Sequence, residues 1–171
     1  MKKGFTIIEI IVVITVIGLM LPLFVSIFFS ITRLQMQLLA MQELKEQGDF
    51  VRDQIISTVR NNAALIDSTC SSIALPGSDQ THLCFYDVNN IPFAYAVDNS
   101  ANVASYSAAL AGPIYLLDGS STTVPIHVAS PSFTAVDTKT AQFKYTVVYT
   151  PVVDYLPQQT LTYQFYTYLR N

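Results

Sequence analysis

Basic residues are scarce in the second half of this chain. From residue 65 onward only Lys139, Lys144 and Arg170 carry positive charge, against seven aspartates. Such a surface offers no basic groove for a phosphate backbone, so direct nucleic-acid binding by this region is not expected. Cysteine is also rare. The chain has 2, Cys70 and Cys84, with no Cys-x-x-Cys pair and only His82 close by, which argues against a zinc site. The two histidines, His82 and His127, sit in strand-like contexts that suit a surface or hydrogen-bonded residue better than a base or ligand. The Gly-x-Ser-x-Gly, His-Glu-x-x-His, P-loop and Gly-x-Gly-x-x-Gly patterns are all missing. No carboxylate pair is spaced for acid–base work. Oxygen ligands are dispersed, and Asp118-Gly119 with Asp98 or Asp87 is the nearest approach to a calcium loop. These absences predict a protein that is not an enzyme and needs neither cofactor nor metal. No internal repeat is present.

Apolar sequence, by contrast, dominates the start. Lys2 and Lys3 lead to Gly4, and an apolar run then extends over residues 5–31 with Glu9 as its only charge. That run is long enough to cross a bilayer as a helix. A secretory signal would be shorter and would be followed by a small-residue cleavage site, which is missing here. Lysines ahead of an apolar run favour a cytoplasmic N-terminus and export of the remainder. A carboxylate inside the run costs about 2.5–3.5 kcal/mol on insertion scales, so its presence calls for a partner. Cutting the chain after Gly4 would create one. The new amine of Phe5 lies one helical turn from Glu9, within reach of its own copy or of a neighbouring one.

Lys2, Lys3, Gly4, Phe5, Thr6, Ile7, Ile8 and Glu9 together resemble the N-terminus of type IV pilins and pseudopilins. The resemblance implies that a prepilin peptidase cuts between Gly4 and Phe5 and methylates the new amine. It also implies that Glu9 pairs with the terminal amine of an adjacent subunit during assembly. Gly18 and Pro22 lie one turn apart within the run. A proline here removes a backbone donor and crowds the preceding turn. The resemblance makes 18–22 the stretch that kinks or melts in a filament; the alternative is a proline kink tolerated in lipid.

Beyond residue 31 the helical period continues but becomes amphipathic. Ile31, Leu34, Leu38, Met41, Leu44, Val51, Ile55 and Val59 recur on one stripe, with polar residues on the other faces. Gly48 reads as a weak point in that stripe. The stripe suits packing on a sheet; a homomeric coiled coil is the alternative. Asn61 and Asn62 suit the helix end. After residue 68 the period becomes two, with strands expected at 81–87, 92–97, 114–117, 123–128, 133–136, 141–150 and 160–169. Residues 98–107 and 118–121 read as loops. Phe143, Tyr145, Val147 and Tyr149 share one face, and Leu161, Tyr163, Phe165, Thr167 and Leu169 share another. The tyrosines suit half-buried faces with wet hydroxyls, or else an exposed aromatic binding stripe. In an exported domain Cys70 and Cys84 read as one disulfide, worth about 3 kcal/mol in the chain-entropy model, with two free buried thiols as the alternative.

The predicted organisation is a leader (1–4), a transmembrane and assembly helix (5–31), an amphipathic helix (32–62) and a β-rich extracytoplasmic head (63–171). The fold class is α+β, a long N-terminal helix whose second half packs on an antiparallel sheet. The helix end over residues 42–55 and the strand-rich remainder also resemble minor subunits of the PilW and GspJ-like type. The function implied is a structural subunit of a type IV pilus-like filament, a minor pilin or pseudopilin, serving adhesion, motility, DNA uptake or protein secretion. Its implied partners are prepilin peptidase, other pilin or pseudopilin subunits, the inner-membrane assembly platform and membrane lipid. Its implied place is a single-pass membrane protein that enters a surface or periplasmic filament. Two other classes remain: a membrane-anchored binding module that does not polymerise, and an anchored enzyme with a deep polar pocket around His82 or His127.

Overall fold

The computed structural model describes residues 6–67, 69–71, 73, 75, 81–108, 112–117, 126–151 and 156–169. The fold is α+β. One helix, α1 (Ile7–Asn62), is followed by eight strands. They are β1 (Ala63–Asp67), β2 (His82–Asp87), β3 (Pro92–Val97), β4 (Val103–Ser107), β5 (Ile114–Leu117), β6 (Ile126–Ala135), β7 (Thr140–Tyr149) and β8 (Gln159–Tyr168). Contacts divide the chain into two units, Met1–Leu39 and Ala40–Asn171. The first contains the apolar part of α1. The second contains the rest of α1 and all eight strands.

The expected long helix with an antiparallel β-rich head is observed. The strands form two antiparallel meanders, a five-stranded sheet ordered β1-β2-β3-β4-β5 and a three-stranded sheet ordered β6-β7-β8. Both contribute to one core. Phe143 stands at its centre, with ring centroids 6.3 Å from Phe85, 6.2 Å from Tyr95, 5.1 Å from Phe133 and 5.4 Å from Phe165. Each sheet thus covers the aromatic face of the other. A backbone bond from Val128 N–H to the Ala101 carbonyl, 2.9 Å, ties β6 to the turn between β3 and β4.

Several strand limits also differ from expectation. Residues 98–107 are not all loop, because 103–107 form β4, paired with both β3 and β5. The loop part is a tight turn in which the Asp98 carboxylate accepts from the N–H groups of Ser100 (2.8 Å) and Asn102 (2.9 Å). Two expected strands, 123–128 and 133–136, belong to the one strand β6, while residues 123–125 lie outside the described residues. A bulge between Ala129 and Ser132 interrupts its register, and Ser130 there has φ 51°. Such bulges bend a strand without ending it. β1 follows α1 with no connecting loop and pairs with β2, which sequence periodicity did not indicate.

Within the second unit, α1 buries Leu44, Gly48, Val51, Ile55 and Val59. These follow a three- and four-residue spacing, so Gly48 belongs to the stripe rather than breaking it. Ile31, Leu34, Leu38 and Met41 of the expected stripe are exposed instead. Gly48 is where the sheet comes closest. A Cβ built on it would lie well inside van der Waals contact with the Tyr163 ring. Tyr163 and Tyr145 face each other across β7 and β8 and stack at 5.4 Å. Their hydroxyls are not wet, as expected, but donate to helix carbonyls. Tyr145 reaches Gly48 O at 3.0 Å, and Tyr163 reaches Lys45 O at 3.1 Å. Burial, with the Asp49 carboxylate nearby, pushes the Tyr163 phenol up to about 12. Burial and the adjacent Tyr163 raise Tyr145 further.

Candidate functional site: an exposed apolar helix carrying one acid

The described part of the first unit is helix from Ile7 onward. Thr6 opens it, its carbonyl accepting from the N–H groups of Glu9 (3.1 Å) and Ile10 (3.3 Å). Every side chain from Thr6 to Ile31 is exposed, including Ile7 (79%) and Phe24 (68%). Residues 7–31 span about 37 Å at 1.5 Å per residue, more than the hydrocarbon thickness of a bilayer. The segment is long and apolar enough to cross a membrane.

Three hydroxyls within and beside this segment are satisfied locally. Thr15 Oγ1 donates to Ile11 O (2.7 Å), Ser30 Oγ to Ser26 O (2.9 Å) and Thr32 Oγ1 to Phe28 O (3.0 Å). Such back-bonding suits a helix in an apolar medium, where no water completes the bond. Glu9 differs. Its carboxylate makes no hydrogen bond or ion pair with any described residue, and no basic residue lies a turn away along the helix. Its place in the first turn is favourable to the helix dipole. The next charge along the chain is Arg33, likewise exposed.

Of the residues singled out from sequence, Gly4 and Phe5 lie outside the described residues. Gly18 and Pro22 lie inside α1, which is helical on both sides of them. Pro22 has no N–H to offer the Gly18 carbonyl one turn before it. A Cβ on Gly18 would meet nothing within 4 Å. Cys70 and Cys84 form a disulfide with Cα atoms 5.3 Å apart. Cys84 is buried on β2 and Cys70 follows β1, so the bridge closes the loop between these paired strands. Beside it the Thr69 hydroxyl and N–H, at 2.6 and 2.9 Å, hold the Asp67 carboxyl below its usual range.

Asp98 and Asp87 spend their carboxylates on their own turns, Asp87 accepting from Val88 N–H at 2.6 Å. Asp118 and Gly119 lie outside the described residues. Among the described residues no group of three His, Cys, Asp or Glu side chains is placed to hold a metal ion. A groove of about 630 Å³ runs between the end of α1 and β8, lined by Ile56, Arg60, Asn61, Tyr166, Thr167, Tyr168 and Leu169. Its described lining contains neither histidine nor carboxylate. Sequence reading missed Gly48 as a contact point. The signal was its place in the three- and four-residue spacing of the buried stripe. No protein-family model, no curated protein and no solved structure matches the chain.

Proposed function

We propose that this chain is a structural subunit of a type IV pilus-like filament, a minor pilin or pseudopilin. The observation that carries the reading is the division of α1. Its second half is buried on a folded head, whereas its first half exposes an apolar surface with a single acid near the start. Membrane lipid covers such a surface before assembly, and the helices of other subunits cover it afterwards. Prepilin peptidase cleaves between Gly4 and Phe5, the assembly platform in the inner membrane takes up the mature subunit, and the head stays on the far side of the membrane.

Glu9 then serves as a register device. Lipid gives its carboxylate no partner, whereas the Phe5 amine of a neighbouring subunit does. The cost of burying the charge is offset only where the two meet, as polar groups in apolar interfaces can specify alignment. Glu9→Ala removes that selection and leaves the apolar span intact. The expected outcome is normal membrane insertion with loss of assembly; wild-type filament yield from this variant would refute the mechanism.

The decisive measurement is the N-terminus of the protein recovered from membranes of its native host, by mass spectrometry, with Gly4→Leu as control. A chain beginning at N-methylated Phe5, with processing lost in the control, is the expected result. A chain beginning at Met1 would instead leave a membrane-anchored binding module as the reading. Pilus, secretion pseudopilus and DNA-uptake filament share this N-terminal chemistry, so the measurement identifies the pathway common to all three.

A further inference from the structure

Residues 7–42 contain two charges, Glu9 and Arg33, of opposite sign. Both side chains are exposed. Neither has a described partner, and neither has an opposite charge three or four residues away on its own helix, where helical ion pairs form. Between them lie only apolar, small and uncharged residues. At 1.5 Å and 100° per residue they are separated by about 36 Å along the axis and by about 240° around it.

That layout discriminates between ways of packing two parallel copies. With no axial offset, Glu9 would lie level with Glu9 and Arg33 with Arg33, two like-charge encounters in an apolar contact. Displacing one copy by about 36 Å brings Glu9 of one level with Arg33 of the other. The angular separation matters as well. Glu9 and Arg33 lie on different sides of α1, so a copy can meet one neighbour through Glu9 and another through Arg33. A contact of this head-to-tail kind does not close on itself as a two-fold dimer does, but propagates.

We infer that Glu9 of one copy faces Arg33 of a second copy of this chain displaced by one apolar span, so that the two apolar halves follow one another along the axis and copies at intermediate offsets cover their sides. The inference rests on the filament reading above and names a second partner for the same acid. It is compatible with the Phe5 amine as a nearer partner. A helical array gives each copy neighbours at more than one axial offset, and a carboxylate has two oxygens. The like-charge encounters act against the unstaggered pair of helices that would otherwise form in the plane of the membrane.

Cysteine pairs on full-length protein in membranes test the offset. Val16→Cys and Ala40→Cys lie two turns beyond the two charges, within about 20° of the same faces, and preserve the spacing between them. The expected result after mild oxidation is a ladder extending beyond dimer for the double variant and no cross-link for either single variant. In the double-cysteine background, Glu9→Arg or Arg33→Glu alone should reduce the ladder at least about tenfold, the low end for a close charge pair across an interface. Arg33→Lys, which keeps the positive charge, should retain the ladder, whereas Arg33→Gln, which disturbs the helix no more, should lose it.

Dimers from Val16→Cys alone would overturn the offset. A ladder indifferent to Arg33→Glu would overturn the pairing. Sedimentation and N-terminal mass, measured on the same membranes, separate the two levels of the reasoning. Processed, sedimenting assemblies without a ladder would overturn this inference alone, whereas unprocessed protein with no assemblies would overturn the filament reading with it.

Discussion

Replacing Gly48 by alanine tests the contact between α1 and the three-stranded sheet, and the sign of the effect is informative. Helix propensity alone predicts stabilisation, because glycine in a helix interior costs about 0.5–1 kcal/mol relative to alanine. The structure predicts the reverse. The new methyl group would meet the ring of Tyr163, which is stacked on Tyr145 and hydrogen-bonded to the Lys45 carbonyl. Overpacking of this kind costs about 1–3 kcal/mol. Displacing the ring also weakens the hydroxyl bonds to Lys45 O and Gly48 O, each worth about 0.5–1.5 kcal/mol. Set against the gain in propensity, the net loss is about 2 kcal/mol.

The assay is thermal unfolding of the full-length protein in detergent, followed by near-ultraviolet circular dichroism of the core aromatics. At about 2–4 °C per kcal/mol the midpoint should fall by roughly 4–8 °C. Gly18→Ala is the internal control. It lies in the same helix with nothing within 4 Å of its added Cβ, and should leave the midpoint unchanged or slightly raised. Tyr163→Leu in the Gly48→Ala background should recover part of the loss, since the two positions are in contact and their effects should not add. A Gly48→Ala protein as stable as the parent would refute this account of the helix–sheet contact.

Alkaline titration should unfold the head cooperatively as pH rises above about 10. Tyr163 and Tyr145 have raised folded-state values, so above the unfolded value of 10.0 the unfolded chain gives up protons that the folded one retains. Their contribution is complete below pH 10 and falls by about 1.4 kcal/mol per pH unit for each residue toward pH 12. Tyr163→Phe should flatten that slope in a plot of denaturation midpoint against pH. Paired Cys70→Ser and Cys84→Ser substitutions should cost about 3 kcal/mol, read as a lower urea midpoint, because the bridge closes a loop of sequence separation 14. Thr167→Val should be neutral or stabilising by up to about 1–2 kcal/mol in the same assay. The Thr167 hydroxyl is buried without a hydrogen-bond partner among the described residues, so its removal relieves a desolvation cost.

Those elements whose periodicity reflects one dominant contact were legible in the sequence. The helix ends at Asn62, where Asn61 and Asn62 were expected to end it. The inward faces of β7 and β8 could be read residue by residue. Phe143 and Phe165, Tyr145 and Tyr163, and Val147 and Leu161 are register partners, so their alternation is reinforced across the pair. β4 escaped notice because Val103-Ala-Ser-Tyr-Ser is short and carries little apolar contrast. β6 looked like two strands because Ser130-Pro131 at its bulge resembles a loop. The division into two sheets had no local signature at all. It depends on which faces must cover Phe143, a matter of tertiary packing.

The site is legible in a different sense, because its chemistry lies in contrast rather than in geometry. A globular surface rarely leaves a continuous apolar area of more than a few hundred Å² uncovered, and residues 7–31 far exceed that. Lipid can cover the whole of this surface without selecting any position along it. Other helices can cover it too, but without water between them the apolar side chains alone give little axial discrimination. Charges are the only side chains here whose burial energy changes sharply with register. Glu9 lies within the segment, and Arg33, of opposite sign, lies just beyond its far end on a different side of the helix. An anchor that only held the head at a membrane would need neither in that position, and the hydroxyls of Thr15, Ser30 and Thr32 bond to carbonyls of their own helix. Glu9 and Arg33 are thus the residues at which membrane anchoring and ordered assembly make different demands, and where substitution separates them.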